Sequence, residues 1–418
     1  MDDPLVLIVG GGMLQVPMIE QALALGLRVA VTDQNHLCPA RYLVSQFWPI
    51  STMDVEGHRQ LGKTLKGETQ WGTLCGVVTA GADCAPAVAA AAEGGGVRGI
   101  PLEVAKRTHS KLVVRELLEE HALDVYSPRW CYLDIDDSYE EMLRYVHETV
   151  QMPCIVKPVR ERASRGVSIA KDEVSLLAAI EKVWHFGTDC LVEQQLQGTE
   201  HSVELIRGEA GEVLWYNIVD RYFDYTSGIP IERGHVNPTR LNEKAQQAIL
   251  LMTLAAAHAL GATWGPLKID CMMTTEGQKI LECTARLSGG YDCQWSSPVT
   301  DRHPMKLLLQ LACGLPIDEQ AQMAGADGYG AVAAVIPKRY GTVRHIPLPE
   351  WTQEGIPMGE RCMDRGVLMT VKPGDRVAPL EHNGQRAGYV MAHGVNYQDT
   401  WEMAQGIAQE IAEGMEYG

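Results

Sequence analysis

Residues 267–290 read LKIDCMMTTEGQKILECTARLSGG. Two apolar runs, Leu267–Met273 and Lys279–Cys283, flank Thr275–Glu276–Gly277. That is a β-hairpin signal, with glycine in the slot that needs a left-handed backbone. A register symmetric about Glu276 sets Asp270 directly opposite Glu282. Opposed residues share a face, with Cβ atoms about 4.5–5.5 Å apart. Alternation adds Lys268, Thr284 and Arg286 to that face and sends Ile269, Cys271, Leu281 and Cys283 to a core. Two facing carboxylates repel, and a divalent cation relieves the repulsion; Mg2+ commonly takes one or two carboxylates plus phosphate oxygens. A register slip of one residue would leave only a solvated face with chance acids.

Upstream of the hairpin, PCIVKP (153–158) is a strand with Lys157 set between Val156 and Pro158. A polar loop, Arg160–Arg165, leads to a short strand at Val167–Ala170. An amphipathic helix, Glu173–Trp184, and a strand, Cys190–Gln194, follow. Ser110 is placed to cap a helix over Lys111–Glu120. Residues 201–220 form two strands about a Gly208–Gly211 turn. A loop-rich stretch carrying Arg221, Arg233 and His235 then precedes a helix over Glu243–Leu260, ended by Gly261. Downstream, residues 331–393 alternate short strands with Pro and Gly turns, and Asp399–Glu413 is a closing helix.

The N-terminus is a βαβ unit. Leu5–Val9 (LVLIV) suits a buried parallel strand, Gly10–Gly12 turn the chain, Leu14–Leu25 is helical, and Arg28–Thr32 is a strand ending at Asp33. A further strand, Cys75–Thr79, and an Ala-rich helix, Ala85–Ala92, complete the layer. The turn resembles a dinucleotide fingerprint, but Gln15 holds the place of the third glycine. A nicotinamide oxidoreductase would also leave the hairpin acids unexplained.

Composition bounds the rest. The 418 residues are 46% apolar and 21% charged, which is globular and gives room for several domains. Lys plus Arg number 36 against 53 Asp plus Glu, a net charge of −17 that disfavours nucleic acid and anionic membranes. The 11 cysteines are scattered and odd in number, with no CxxC pair, as in a reducing cytosol. No signal-peptide pattern and no apolar run of about 18 residues is visible, so a soluble cytoplasmic protein is expected.

Taken in order, these segments resemble the ATP-grasp superfamily. The set comprises the N-terminal α/β layer, Ser110–Lys111, PCIVKP, LVEQQLQGTEHSVEL (191–205), KID (268–270) and ILECTARLSGG (280–290). Each motif is weak alone; the order is specific. The glycine-rich start, the RLSGG segment and the strand-rich end look most like carboxylate–amine ligases that include the L-amino-acid ligases. Purine-biosynthetic relatives share the plan, and a non-catalytic nucleotide-binding module is the competing class. The resemblance implies an α/β and α+β chain in three parts. These are a Rossmann-like domain (1–105), a two-lobed ATP-grasp domain (106–320, lid about 125–190) and a strand-rich C-terminal region (321–418).

It also implies ATP, Mg2+ or Mn2+, a carboxylate and an amine substrate, and is compatible with a homodimer. Lys111 and Lys157 match two ATP-contacting lysines. Glu193 matches a hinge acid and Glu200 a ribose ligand, while Gln195 and Leu196 offer backbone to adenine. Ser164 lies in the lid loop Arg160–Gly166, whose arginines are candidates to cover the triphosphate. Asp270 and Glu282 match the metal ligands; Thr284 stands where the family often has Asn. Arg286 is suited to a carboxylate becoming an acyl phosphate, with Lys268 beside it. Ser288, Gly289, Gly290, Arg221, Arg233 and His235 are substrate-pocket candidates, and Gly11 and Gly12 are expected to face the substrate cleft.

Overall fold

The computed structural model describes residues 3–67, 69–161, 163–299, 303–317, 328–352 and 365–418. Arg162, Cys362 and the expected boundary at 320/321 lie outside them. The N-terminal layer is a four-stranded parallel sheet in the order Gln46–Trp48, Arg28–Thr32, Pro4–Val9, Thr73–Val78. Its central strand is apolar throughout because both faces are covered. Leu5, Leu7 and Val9 pack with Leu61, Leu65 and Ala87 on one side. Val6 and Ile8 pack with Met18, Ile19, Leu308 and Leu311 on the other. Each such side chain, fully buried, contributes roughly 1.5–3 kcal/mol. Leu308 and Leu311 belong to the helix Pro304–Ala312, so a late segment completes the first core. The division at 105/106 therefore does not separate two cores.

The glycine turn is closed by its own chain. Gly11 N donates to Asp33 Oδ2 at 2.8 Å, and Gly12 N to Gln15 Oε1 at 2.9 Å. Gln15 in turn donates to the Ala80 carbonyl. The helix starts at Val16, two residues later than expected, and the Gln15 side chain before it serves the glycine turn rather than capping the helix.

The second layer is a four-stranded antiparallel sheet ordered Trp130–Leu133, Cys190–Gln194, Cys154–Pro158, Ser168–Ala170. The helices Tyr139–Thr149 and Glu173–Trp184 back it, each opened by a capping box, Ser138 with Glu141 and Asp172 with Ser175. Such caps stabilise by about 1 kcal/mol each.

The third layer is one eight-stranded antiparallel sheet. Its order is Gly277–Thr284, Gly265–Thr274, Gly198–Arg207, Val213–Asp224, Ile231–Asn237, Tyr329–Val335, Gly388–Gly394, Arg365–Met369. The helix Glu243–Leu260 covers the first part and the helix Tyr397–Gly414 the last. Central and C-terminal regions thus share a single sheet, joined by Ile231–Asn237 pairing with Tyr329–Val335. The stretch expected to be loop-rich is instead paired strand: Arg221 lies opposite His235. Its polar residues concealed it, since Arg221, Glu232 and His235 face an interior cleft rather than water.

Candidate active site

Strand alternation aims one side chain in two at the front of the eight-stranded sheet. There a cavity of about 610 Å³ opens between that sheet and the second lobe. The strand Gly265–Thr274 contributes Lys268, Asp270 and Met272; Gly198–Arg207 contributes Glu200 and Ser202; Val213–Asp224 contributes Val219, Arg221 and Phe223. Lys111, Lys157, Glu161, Ser164 and Glu193 come from the other side, and the linker Gln195–Gly198 crosses one end.

Two bulges set the site. Asp270 pairs with Glu282 as expected, but Cys271 pairs with Ile280. Leu281 is the extra residue, so it lines the cavity and Ile280 takes its place in the core. The turn is one residue tighter than a register centred on Glu276, and the bulge restores the acid pair. In the neighbouring ladder Tyr222 pairs with Gly234 and Phe223 with Glu232, leaving Arg233 unopposed. Glu232 and His235 consequently reach the cavity, whereas Arg233 is exposed and does not.

Charges are paired across elements. Glu193, 2% exposed, holds Lys157 at 2.5 Å and Arg115 at 2.9 Å. Burial lowers the Lys157 ammonium against the pull of Glu193. Burial would raise Glu193, but Arg115 and Lys157 outweigh it and hold the carboxyl down. Lys111 bridges Glu282 at 2.9 Å and the Glu161 carbonyl at 2.5 Å. Asp270 meets Arg221 at 2.9 Å, Lys268 at 2.5 Å and the Ser202 hydroxyl. Burial opposes its ionisation, yet Arg221 and Lys268 keep it well below the usual carboxylate range. Glu232, against Arg221 at 3.0 Å and Arg386 at 3.4 Å, is lowered to about 2 despite burial. Glu200, with Tyr225 donating to it, is raised by burial to about 7.

At the inner end Arg286 grips Asp83 at 2.6 and 2.7 Å, tying the hairpin to the N-terminal layer. Gly81 N bonds Leu287 O at 3.2 Å, and Ser288 N bonds the buried Glu204 at 2.5 Å. Burial, helped by Asp292, raises Glu204 well above a normal carboxyl. Burial also lowers His235, leaving a neutral imidazole at pH 7.

Sixteen of the expected residues line this one cavity: Lys111, Lys157, Ser164, Glu193, Gln195, Leu196, Glu200, Arg221, His235, Lys268, Asp270, Glu282, Arg286, Ser288, Gly289 and Gly290. Arg233, Gly11 and Gly12 do not. The two glycine amides are taken by Asp33 and Gln15, and nearby Leu14 lines the cleft in their stead. Sequence reasoning missed Arg115, Ser202, Glu204, Glu232, Asp83, Asn383 and Arg386. Arg115 had a signal, sitting one helical turn from Lys111.

The donor set suits a hard cation. Asp270 and Glu282 are opposed, and Thr284 Oγ1, two residues on, is buried with no hydrogen-bond partner. Among the described residues no group of three or more His, Cys, Asp or Glu assembles. Two carboxylates and a hydroxyl fit Mg2+, which fills its remaining positions with water and phosphate. Among the described residues, no helix is long and apolar enough to cross a membrane.

Residues 121–286 match the family described as D-ala D-ala ligase C-terminus, and 364–413 match L-amino acid ligase C-terminal domain 2. A D-alanine–D-alanine ligase of Pelobacter propionicus is 30% identical over 142 residues, 33% of this chain and 44% of that protein. The matched stretch thus spans less than half of that relative. An L-amino acid ligase from Bacillus licheniformis superposes with a TM-score of 0.75 at 20% identity, covering 100% of this chain and 99% of the other. A phosphoribosylglycinamide synthetase from Anaerococcus prevotii gives 0.70 at 16%, with 99% of each chain covered. Fold and both matched segments agree: the chain is similar to these ligases and shares the fold of the L-amino acid ligase.

Proposed function

We propose that the protein is an ATP-dependent carboxylate–amine ligase that releases ADP and phosphate. One observation carries this reading: the opposed Asp270–Glu282 pair faces Lys111 and Lys157 inside a single cleft that Arg286 also lines. A carboxylate oxygen attacks the γ-phosphorus and ADP leaves. The amine nitrogen then attacks the acyl carbon, phosphate leaves, and nitrogen loses a proton. Lys157, fixed by Glu193, and Lys111 contact phosphate oxygens as point charges. Arg286, steadied by Asp83, meets the charge that develops at the acyl phosphate. Asp270, Glu282 and Thr284 would hold Mg2+, which would neutralise phosphate charge. Gln195 and Leu196, which line the cleft, would offer backbone groups to the adenine edge. Met272, Val219 and Leu281 give the cleft an apolar wall.

Two of the named relatives are a D-alanine–D-alanine ligase and an L-amino acid ligase, which supports amino acids or similar small carboxylates as substrates. The test is a pairwise amino-acid matrix scored for ATP-dependent phosphate release, with mass spectrometry of the hits. ADP and an amide are expected. AMP and pyrophosphate would overturn the reading, because they mark an adenylate route.

A further inference from the structure

Asn383 comes from the C-terminal region yet lines the cleft at 6% exposure. Its Nδ2 donates to Ser164 Oγ at 2.9 Å, and its backbone N donates to Ala163 O at 3.0 Å. Its Oδ1 accepts from Glu232 N at 2.8 Å. Both hydrogen-bonding ends of the amide are therefore used, one on the second lobe and one on the eight-stranded sheet. What it holds is unusual backbone. Ala163 and Ser164 have φ of 53° and 60°, consecutive non-glycine residues in the left-handed region. Such residues favour other conformations unless their surroundings fix them.

Asn383 is itself fixed. Its carbonyl accepts from Arg386 Nε at 2.7 Å, and Arg386 Nη1 reaches the Glu232 carbonyl at 3.2 Å. Glu232 pairs with Arg221, and Arg221 with Asp270. A continuous polar chain thus runs from the loop over the cleft to the acid that faces Glu282.

We propose that Asn383 is a positioning residue that clamps the Ala163–Ser164 segment over the nucleotide phosphates. The proposal rests on the ATP-dependent reading above. The clamp lets this loop do without the glycines that would otherwise supply its left-handed turns. It also makes the C-terminal region part of the phosphate-binding apparatus.

The experiment compares Asn383→Ala, Ser164→Ala and the double variant with the wild type. Trypsin cleavage at the arginines of residues 160–165, located by mass spectrometry without nucleotide, reads the clamp alone. Both single variants are expected to cut faster than wild type, and the double variant no faster than Asn383→Ala. The KM for ATP is expected to rise about 10-fold in each, as for a lost hydrogen bond plus loop disorder, with kcat nearly kept. Cleavage of both single variants at the wild-type rate would overturn the clamp. So would additive effects in the double variant. If Asn383→Ala lowers the thermal midpoint, Ser164→Ala alone decides. Calorimetry of wild type with Mg2+ and ATPγS separates the two readings. Absence of binding there overturns the ligase reading and the nucleotide role of the clamp, while faster cleavage still supports the clamp.

Discussion

Asp220 and Asp270 are both buried carboxylates of the same sheet, 5% and 8% exposed, and both are held below the usual range. They face opposite sides. Behind the sheet, Asp220 accepts from His201 at 2.9 Å, the Tyr397 hydroxyl at 2.7 Å, the Arg240 amide at 3.1 Å and Thr239. Burial would raise it, and these four donors overcome burial. In front, Asp270 has two cations and a hydroxyl as partners, and it borders a cavity. A depressed carboxyl is therefore no mark of a site. The difference lies in the partners. Fixed donors away from the cavity lock a structure together. Cationic side chains at a cavity wall can yield to a metal and phosphates.

The contrast breaks most sharply if Asp270→Asn leaves turnover near normal at ordinary Mg2+. The expected loss is on the order of 10³-fold, with circular dichroism unchanged, because the site must hold a cation against phosphate charge. Next in size, two front-side cations should separate by role. Lys157→Ala is expected to weaken ATP binding by about 10–100-fold, the worth of a charge-assisted hydrogen bond. Arg286→Ala is expected to lower kcat by a similar factor with ATP affinity kept, since its partner charge develops during reaction. Calorimetry beside turnover measurements checks both, and equal losses of affinity would erase the distinction.

Asp220→Asn sharpens the comparison from behind. It should cost about 2–3 kcal/mol of stability at pH 7, with turnover per folded molecule kept. The contribution of a depressed carboxyl is present above its unfolded pKa of about 3.9 and is lost as pH falls through its lower folded value. Urea midpoints of variant and wild type should accordingly converge on acidification below about pH 4. The smallest effect is expected from Gln15→Ala, which orphans the Gly12 amide and the Ala80 carbonyl. About 1 kcal/mol of stability should go, with kinetic constants unchanged.

Legibility followed locality. The Asp270–Glu282 pair was readable because a hairpin places its residues by counting from one turn. It survived a misplaced turn centre only because the Leu281 bulge compensates. The strand Ile231–Asn237 was not readable, since Glu232, Arg233 and His235 break its apolar pattern and its second partner, Val332, depends on folding at long range. Asp83, Glu232 and Asn383 were invisible for the same reason: each meets the cleft through a contact that spans layers. Arg233 was misassigned because its stretch reads as a loop, whereas it is the unopposed residue of a paired strand and faces outward.

The seam between Ile231–Asn237 and Tyr329–Val335 passes through Gly234, at φ +148° and opposite Ala333. A Cβ there would run into the Val332 carbonyl and come against Trp401. The seam thus has a lock that any transplanted C-terminal region must fit. Recombination libraries that exchange this third of the chain among relatives should cut between residues 238 and 328 and retain Gly234. Chimeras that place a side chain there would misalign the Glu232 and His235 strand, and their failure would look catalytic while being one of assembly.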